Sequence, residues 1–262
     1  MSASKALSFR KLAVSLAFAS GVGTALAART IIRCFSTASK LRLHLYDHCP
    51  FCIRIELVLG TYGIPYERVV YGYGDKKGPT ALTGKKILPV LEGAGVPAPQ
   101  GMKGLPESLD IIAYLTSKYK LPVPCGSDRK DLKHWVSEFD KVRRKLQRPR
   151  LIQMKVKDWA NDEDVRYAKE KYTKENPNYY EEALKETPKL LEEANRLLME
   201  FETLLKGDNA LNPWGFGLDD VKILPNLRNM TCVQGIVWPE KVWNYVKGSC
   251  DKAGVSLYEG VP

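Results

Sequence analysis

The spacing of apolar residues divides the chain into a first part with strand-like patterns and a second part with helical patterns. Residues 41–46 form a short apolar run, residues 65–71 alternate between apolar and polar types, and residues 87–91 form a third apolar run containing a proline. Runs of this length and type are typical of β-strands. Helical patterns occupy residues 53–59 and 109–119. The order strand, helix, strand, strand, helix predicts a small α/β domain.

Beyond residue 128 the pattern is mainly helical. Five stretches combine helical periodicity with many charges, at residues 128–148, 160–175, 178–206, 219–235 and 239–253. One of them carries an apolar stripe that we interpret as core, formed by Leu190, Leu191, Ala194, Leu197, Leu198, Phe201 and Leu205. A proline-rich linker at residues 120–126 separates the two parts. We therefore predict a small α/β domain at residues 40–120 and an all-α domain at residues 128–262.

The first 39 residues have the composition of a targeting presequence. They are rich in serine, alanine and arginine and contain no acidic residue. Residues 33–36, Arg-Cys-Phe-Ser, resemble a mitochondrial processing site with arginine a few positions before the cut. Residues 1–39 are therefore expected to direct import into an organelle, the mitochondrion before the plastid.

An uncharged, mostly apolar run at residues 12–28 leaves other kinds of leader open. It is compatible with the hydrophobic region of a secretory signal peptide that ends at residues 25–27. It is also compatible with a short membrane anchor, near the lower limit of the roughly 17–25 residues that a span needs. A two-step leader into a complex plastid would use both features. Contact with a membrane is expected only through residues 12–28, and only if they are not removed.

The basic character of the chain comes partly from this leader. The formal net charge is +10, and five basic residues before residue 40 leave +5 for the remainder. A basic cluster lies in the helical part: Lys141, Arg143, Arg144, Lys145, Arg148 and Arg150. No aromatic interleaving or base-stacking motif accompanies it, so we interpret it as a solvated helix face with no nucleic-acid partner.

The strongest candidate chemistry is a cysteine pair in the sequence Cys49-Pro50-Phe51-Cys52, between the first predicted strand and helix. Pro50 suits the first helical position, where its missing N–H needs no partner, and this places Cys49 at the N-cap. There the sulfur faces unpaired backbone N–H groups and the positive end of the helix dipole, which favour the thiolate. Cys52 lies one turn further along the same face. The arrangement predicts a redox dithiol in which Cys52 resolves a disulfide formed at Cys49.

Two other uses of this pair are less favoured. Half of a zinc site would need further ligands, but the chain has only three histidines and no second Cys-X-X-Cys pair. Two unreactive, packed thiols are the other alternative. The remaining cysteines show no paired spacing, which suits a reducing compartment: Cys34, Cys125, Cys232 and Cys250. No metal is expected.

Several short motifs along the chain occur in the order that is typical of one protein family. They are Leu45-Tyr-Asp-His-Cys-Pro-Phe-Cys52, Pro79-Thr80 with Gly84-Lys85, Leu88-Pro-Val-Leu91, Leu105-Pro-Glu-Ser-Leu-Asp-Ile111, Leu224-Pro-Asn-Leu-Arg-Asn-Met-Thr231 and Trp238-Pro239. From Leu41 to about Tyr245 the chain resembles the glutaredoxin 2 family. The resemblance implies a thioredoxin-like domain followed by a helical domain, as in glutathione transferases.

The resemblance also implies roles for individual residues. Cys49 is expected to be the nucleophile that takes glutathione from a mixed disulfide, and Cys52 the resolving thiol. Pro89 is expected to be a cis-proline that exposes the Leu88 backbone to the cysteinyl backbone of glutathione. Glu107 and Ser108 are expected to receive the γ-glutamyl end, the ammonium at Glu107 and the carboxylate at the hydroxyl and helix start. The implied glutathione-binding set is Cys49, Pro50, Phe51, Leu88, Pro89, Glu107 and Ser108.

The implied activity is that of a dithiol glutaredoxin. Glutathione is the expected co-substrate, and the expected partners are glutathionylated or disulfide-bonded proteins. Two alternatives remain at this point. One is a glutathione transferase or an isomerase similar to prostaglandin E synthase 2 on the same fold, and the other is a non-enzymatic binding or membrane module. An intact resolving cysteine argues against the second alternative.

Three positions near these motifs have ambiguous roles. Gly217 stands where relatives have a capping hydroxyl, and glycine at an N-cap costs only a few tenths of a kcal/mol. His48 is interpreted as a passive neighbour of Cys49 rather than a group that tunes it. Arg54 either lends positive charge to the thiolate or is simply solvated.

Overall fold

The computed structural model of the chain describes residues 40–122 and 126–262. The expectations for residues 1–39, including the apolar run at residues 12–28, therefore lie outside the described residues. Within those two ranges, no helix has the length and apolar character that a membrane span requires.

A mixed four-stranded sheet forms the centre of the first part. Its strands are β1 (Leu41–Leu45), β2 (Tyr66–Val70), β3 (Val90–Glu92) and β4 (Leu105–Pro106). They lie in the order β2-β1-β3-β4, with β1 parallel to β2 and antiparallel to β3. Leu43 and Leu45 of β1 are fully buried. The cysteine pair therefore follows the carboxyl end of the central strand β1, at one edge of the sheet.

Three helices belong to this part: α1 (Pro50–Thr61), α2 (Lys77–Thr83) and α3 (Ser108–Tyr119). The predicted order of strand, helix, strand, strand, helix did not include α2. Pro79 occupies the first turn of α2, where a helix does not need its N–H. Gly84 ends the helix in the left-handed region with φ of 76°. Pro79 and Gly84 thus lie near the two ends of a short helix.

The second part is entirely helical among the described residues, as predicted. Its elements are α4 (Lys130–Leu151), a 3₁₀ turn (Lys157–Trp159), α5 (Asp162–Thr173), α6 (Tyr179–Lys185), α7 (Thr187–Glu202), α8 (Leu218–Met230) and α9 (Glu240–Ala253). The single stretch expected at residues 178–206 is split into α6 and α7. Pro188 starts α7, because its ring would collide with the carbonyl of residue 184 in a continuous helix.

The core of the helical part lies between α4 and α7. Trp135 stacks on Phe139 with ring centroids 4.4 Å apart and contacts Phe201 at 4.5 Å. Its indole Nε1 donates to the carbonyl of Leu197 at 2.8 Å, so the buried N–H is paired. Leu190, Ala194, Leu197, Leu198 and Phe201 of the predicted stripe are buried.

Helix α1 connects the sheet to the helical part. It packs against α8 and α9 as well as against α3. A Cβ at Gly60 would lie 1.9 Å from the carbonyl oxygen of Ala253, so glycine is what allows α1 and α9 to approach this closely. Residues Lys40–Pro262 form one unit by their contacts. The finer division at residues 40–120 and 128–262 stays a prediction.

Candidate active site

Cys49 is the N-cap residue of α1. Its backbone is extended (φ −74°, ψ 117°), and Pro50 takes the first helical position. The carbonyl of Cys49 accepts the N–H groups of Cys52 and Ile53, each at 3.0 Å, which starts the helix. The thiol of Cys49 is half-buried, whereas Cys52 is fully buried one turn further on. The capping arrangement predicted from Pro50 is confirmed.

The two thiols differ strongly in acidity. A hydrogen bond from the Cys52 thiol is the main cause that lowers the pKa of Cys49 to about 7. Burial opposes this shift, while the positive charge of His48 and the backbone N–H groups of Cys52 and Phe51 favour it. Burial raises the pKa of Cys52 well above its ordinary value, and its hydrogen bond to Cys49 and the charge of Cys49 add to the rise. Near neutral pH about half of the accessible Cys49 is therefore thiolate, whereas Cys52 stays protonated.

His48 and Arg54 are both within electrostatic reach of this thiolate. His48 lowers the pKa of Cys49, so the interpretation of His48 as a passive neighbour was wrong. Burial lowers the pKa of Arg54, and the Cys49 charge acts in the opposite direction. Arg54 is therefore not a freely solvated side chain.

A cavity of about 510 Å³ opens beside Cys49. Its lining includes all seven residues of the expected glutathione-binding set: Cys49, Pro50, Phe51, Leu88, Pro89, Glu107 and Ser108. The Leu88–Pro89 peptide bond is cis, as the resemblance implied. Residues from three separate loops of the first part thus converge on one concave surface next to the reactive sulfur.

Helix α3 begins one residue earlier than the helical pattern at residues 109–119 indicated. Glu107, rather than Ser108, is the N-cap residue, and Ser108 is the first residue of the helix. Glu107 has φ of 66°, a region that costs a non-glycine residue about 1–3 kcal/mol. Strain of this kind is characteristic of binding sites. Ser108 is buried, and Arg54 Nη1 lies 3.4 Å from its Oγ.

A buried carboxylate from the helical part holds the loop that carries Cys49. Asp158 lies in the 3₁₀ turn and is 0% exposed. It accepts the backbone N–H of Asp47 at 2.9 Å and that of His48 at 2.7 Å. The Nδ1 of His48 lies 2.5 Å from the same carboxylate. Asp158 therefore fixes the backbone and the imidazole of the residue that precedes Cys49.

Helix α8 holds the same loop from another side. Arg228, which is 2% exposed, donates to the carbonyl of Asp47 at 3.0 Å, and Asn229 donates to the carbonyl of His48 at 2.7 Å. Burial alone would raise the pKa of Asp47, but the charges of Arg228 and Arg68 hold it below its ordinary value. The late motif at residues 224–231 therefore has a direct structural role at the cysteine loop.

The start of α8 shows how this helix is capped although Gly217 lacks the hydroxyl found in relatives. Glycine has no side chain to cap the helix, but its N–H donates to the Asp220 carboxylate at 2.8 Å. Asp220 also accepts the N–H of Leu211 and the hydroxyl of Tyr245. The acidic half of a capping box is thus retained without the hydroxyl.

The basic cluster in α4 is not a uniformly solvated face, and this prediction was wrong. Arg143, Arg144 and Arg148 line the cavity beside Cys49, and Arg150 is buried. Arg148 lies over the ring of Tyr172, 4.2 Å from its centroid. The cluster contributes positive charge to one wall of the candidate site because α4 runs along it.

Aromatic and lysine side chains complete this wall. Tyr46, Tyr73 and Tyr172 line the cavity together with Lys86 and Lys171. Lys171 donates to the hydroxyl of Tyr73 at 2.7 Å, and the Tyr73 and Tyr172 hydroxyls lie 3.3 Å apart. These residues were not predicted from the sequence. No local pattern relates Tyr73, in the loop after β2, to Lys171 and Tyr172 in α5.

Other reactive groups lie away from this site. Burial raises the pKa of Cys232 to about 12 and that of Cys250 to about 11, so both are poor nucleophiles at neutral pH. Across residues 40–122 and 126–262, no cluster of histidine, cysteine and acidic side chains is arranged to hold a metal ion. His44 bonds Tyr71 and Glu92 instead.

Comparison with known proteins identifies the family. Residues 131–261 match the family model described as glutaredoxin 2, C-terminal domain, and residues 43–123 match the glutathione S-transferase N-terminal domain. Glutaredoxin 2 of Escherichia coli K12 is 26% identical over 217 residues, which cover 83% of this chain and 97% of that protein. A crystal structure of glutaredoxin 2 from Salmonella typhimurium in complex with glutathione superposes with a TM-score of 0.76 at 26% identity, covering 84% of this chain and 97% of the other. The chain belongs to the glutaredoxin 2 family.

Proposed function

We propose that this protein is a glutathione-dependent thiol–disulfide oxidoreductase that reduces protein–glutathione mixed disulfides and protein disulfides. One observation carries the proposal. The half-buried Cys49, with a pKa of about 7, opens into the cavity that also contains Leu88, Pro89, Glu107 and Ser108. The glutathione complex of the Salmonella typhimurium relative supports glutathione as the co-substrate.

The chemistry of the cavity suits glutathione. The tripeptide carries two carboxylates, one ammonium group and one thiol. Glu107 is complementary to the ammonium group, while Ser108 and the start of α3 are complementary to the γ-glutamyl carboxylate. The backbone of Leu88 is suited to pair with the cysteinyl backbone. The cationic side chains of α4 and α5 on the opposite wall favour a ligand with net negative charge.

The reaction begins with a disulfide exchange at Cys49. Its thiolate attacks the glutathione sulfur of a mixed disulfide, a bond forms between Cys49 and glutathione, and the protein sulfur leaves as a thiolate. A second glutathione thiolate then attacks the bound glutathione sulfur. This step releases oxidised glutathione and regenerates the Cys49 thiolate. The net reaction converts the mixed disulfide and one glutathione thiol into a protein thiol and oxidised glutathione.

Cys52 takes part when the substrate is a protein disulfide. After Cys49 has bonded to one protein sulfur, the Cys52 thiolate attacks Cys49 and forms the Cys49–Cys52 disulfide, releasing the reduced protein. Burial raises the pKa of Cys52, but part of the rise comes from Cys49, its hydrogen bond and its charge. That part disappears once Cys49 is in a mixed disulfide, so Cys52 becomes easier to deprotonate when it is needed.

A titration of Cys49 alkylation tests the proposal. The rate of reaction with iodoacetamide should rise with pH around a midpoint of about 7 and level off above it, because the thiolate is the reactive form. A thioether of glutathione with a large substituent on sulfur, such as S-hexylglutathione, should slow alkylation by occupying the cavity without taking part in disulfide exchange. Turnover of the mixed disulfide of glutathione and 2-mercaptoethanol should follow the same pH curve. A midpoint near 8.5 together with no protection would contradict the proposed function.

We also propose that residues 1–39 direct the protein to the mitochondrion. The support is their content of arginine and serine without acidic residues, and the sequence Arg33-Cys-Phe-Ser36. A fluorescent protein fused after residue 39 should enter mitochondria and lose the leader. A version with Arg29 and Arg33 changed to glutamate should remain outside. Delivery of the unmodified fusion to the endoplasmic reticulum or to plastids would overturn this assignment.

A further inference from the structure

A second cavity, of about 450 Å³, lies on the other side of Phe51 from the first. It shares Pro50, Phe51, Arg143 and Arg144 with the first cavity and is otherwise lined by α4, α8 and the residues before α4. Phe51, two residues after the reactive cysteine, is 51% exposed and lines both cavities. The two cavities therefore form one continuous surface on both sides of the start of α1.

The second cavity has an apolar floor. Its apolar lining comes from Leu132, Trp135, Val136, Phe139 and Ile223. Val136 is half-buried, so part of its side chain is available to a ligand. A surface of this kind favours an apolar side chain of the bound partner, since burial there removes apolar surface from water.

Two unpaired polar atoms line the same cavity. The Nε of Arg54 is a buried donor and the Oδ1 of Asn226 is a buried acceptor, and neither has a hydrogen-bond partner among the described residues. Buried polar atoms are normally paired, so these two mark a polar part of the lining that is not satisfied within the protein. Both are closed off from solvent, so neighbouring side chains must shift before the backbone of a bound polypeptide can pair with them.

The charges around this cavity are mainly positive. Six basic side chains line it, namely Arg54, Arg129, Lys133, Arg143, Arg144 and Lys222, against two acidic ones. Both carboxylates are already engaged: Asp140 accepts from Arg143 at 2.5 Å and from Arg144 at 2.8 Å, and Asp219 accepts from Ser127 and Asn212. Arg129 and Lys133 are paired with Asp131 and Asp128, which lie outside the lining. Arg54 and Lys222 are the lining cations that form no ion pair within residues 40–122 and 126–262, and Lys222 is within electrostatic reach of Asp219. A carboxylate on the partner would complement this positive charge.

We propose that the second cavity binds the polypeptide segment beside the target cysteine of a protein substrate, through an apolar side chain and a neighbouring acidic residue. The inference rests on the proposed function, because the segment reaches this cavity only while its cysteine reacts at Cys49. Glutathione lies in the first cavity, the disulfide lies at Cys49, and the substrate chain passes over Phe51. The second cavity thereby selects among protein substrates without taking part in the exchange of sulfur.

A peptide series tests this selection on the unmodified protein. Each peptide carries one glutathionylated cysteine flanked on both sides by Leu-Glu, by Ser-Glu, by Leu-Lys or by Ser-Lys. The kcat/KM for the Leu-Glu peptide should exceed that for the Ser-Lys peptide by roughly tenfold or more, with the other two between them. The mixed disulfide of glutathione and 2-mercaptoethanol, which has no peptide, measures the basic reaction separately.

Variants that alter only the second cavity extend the test. Lys222→Glu and Val136→Glu should each remove most of the preference for the Leu-Glu peptide and leave turnover of the small mixed disulfide unchanged, because neither residue lines the first cavity. Lys189→Glu, on the exposed side of α7, changes the net charge by the same amount as Lys222→Glu and should retain the preference.

Two results would overturn the inference. One is an equal kcat/KM for all four peptides, and the other is a preference that persists in both Lys222→Glu and Val136→Glu. The second result would assign selection to the basic wall of the first cavity. Absence of turnover of the small mixed disulfide by the unmodified protein is a different failure, since it would contradict the proposed function itself.

Discussion

Replacing Cys49 with serine should abolish turnover of glutathione mixed disulfides, with a loss of roughly a thousandfold or more. A serine hydroxyl occupies the same N-cap position and preserves the start of α1. It is not ionised near neutral pH, however, and it cannot form the mixed disulfide on which both proposed reactions depend. The measurement is glutathione-dependent reduction of the mixed disulfide of glutathione and 2-mercaptoethanol. Activity retained at more than a few per cent would exclude Cys49 as the nucleophile.

Variants at Cys52 separate its two contributions. Cys52→Ser should retain reduction of glutathione mixed disulfides and lose the dithiol reduction of protein disulfides. Its hydroxyl still donates to the Cys49 sulfur, so the pKa of Cys49 should stay near 7. Cys52→Ala removes the donor that is the main cause of the lowered pKa. The Cys49 thiolate fraction at pH 7 should then fall from about one half to a few per cent, and alkylation at that pH should slow roughly tenfold.

The lowered pKa of Cys49 also determines the direction in which activity changes with pH. Because the pKa of Cys49 is lowered, thiolate is present above about pH 7 and is lost as pH falls through that value. Activity of the unmodified protein should decline up to tenfold per pH unit on the acidic side. In Cys52→Ala the same decline should begin at higher pH. An alkylation midpoint that stays near 7 in Cys52→Ala would show that the Cys52 side chain does not stabilise the thiolate.

The part of the site that lies in one stretch of sequence was predictable. Pro50 has few favourable positions in a helix, so it fixes the start of α1, and Cys49 follows as the N-cap. Residues 88, 89, 107 and 108 were expected from the family resemblance, and all of them line the cavity. Local rules and family motifs therefore predicted the residues that the α/β part contributes to the site.

The contribution of the helical part was not predictable in the same way. Asp158 lies 110 residues from His48, and Asn229 lies 181 residues from it, so no local pattern relates them. In the sequence, Arg143 and Arg148 have the pattern of an ordinary charged helix face. Their place in the site follows only from the fold, which brings α4 beside Cys49. At Glu107 a local preference was overridden, since Ser108 is the better capping residue in isolation. The turn from β4 into α3 instead imposes a positive φ on Glu107.

The largest expected effect on stability belongs to Asp158, whose carboxylate holds the cysteine loop. Asp158→Ala would leave two backbone N–H groups and the Nδ1 of His48 without their acceptor in a buried site. Leaving one buried donor unpaired costs about 1–3 kcal/mol, so a loss of at least roughly 3 kcal/mol is expected. For a chain of this size that corresponds to a fall in Tm of about 6–12 °C. Thermal unfolding followed by circular dichroism measures it.

The comparison variants for Asp158 are chosen to separate charge, hydrogen bonding and general surface effects. Asp158→Asn keeps the shape but turns one acceptor into a donor that faces an N–H group, so it should lose a large part of the same stability. Asp128→Ala removes a carboxylate that is 88% exposed and should change Tm little.

The Asp158 variants should also alter Cys49, because the carboxylate fixes the imidazole of His48. His48 contributes positive charge to the lowering of the Cys49 pKa, so releasing the ring should raise that pKa and slow alkylation at pH 7. A purely structural role elsewhere in the fold would lower Tm without moving the midpoint of the alkylation curve. An Asp158→Ala protein with unchanged Tm and unchanged midpoint would show that the loop keeps its conformation without this carboxylate.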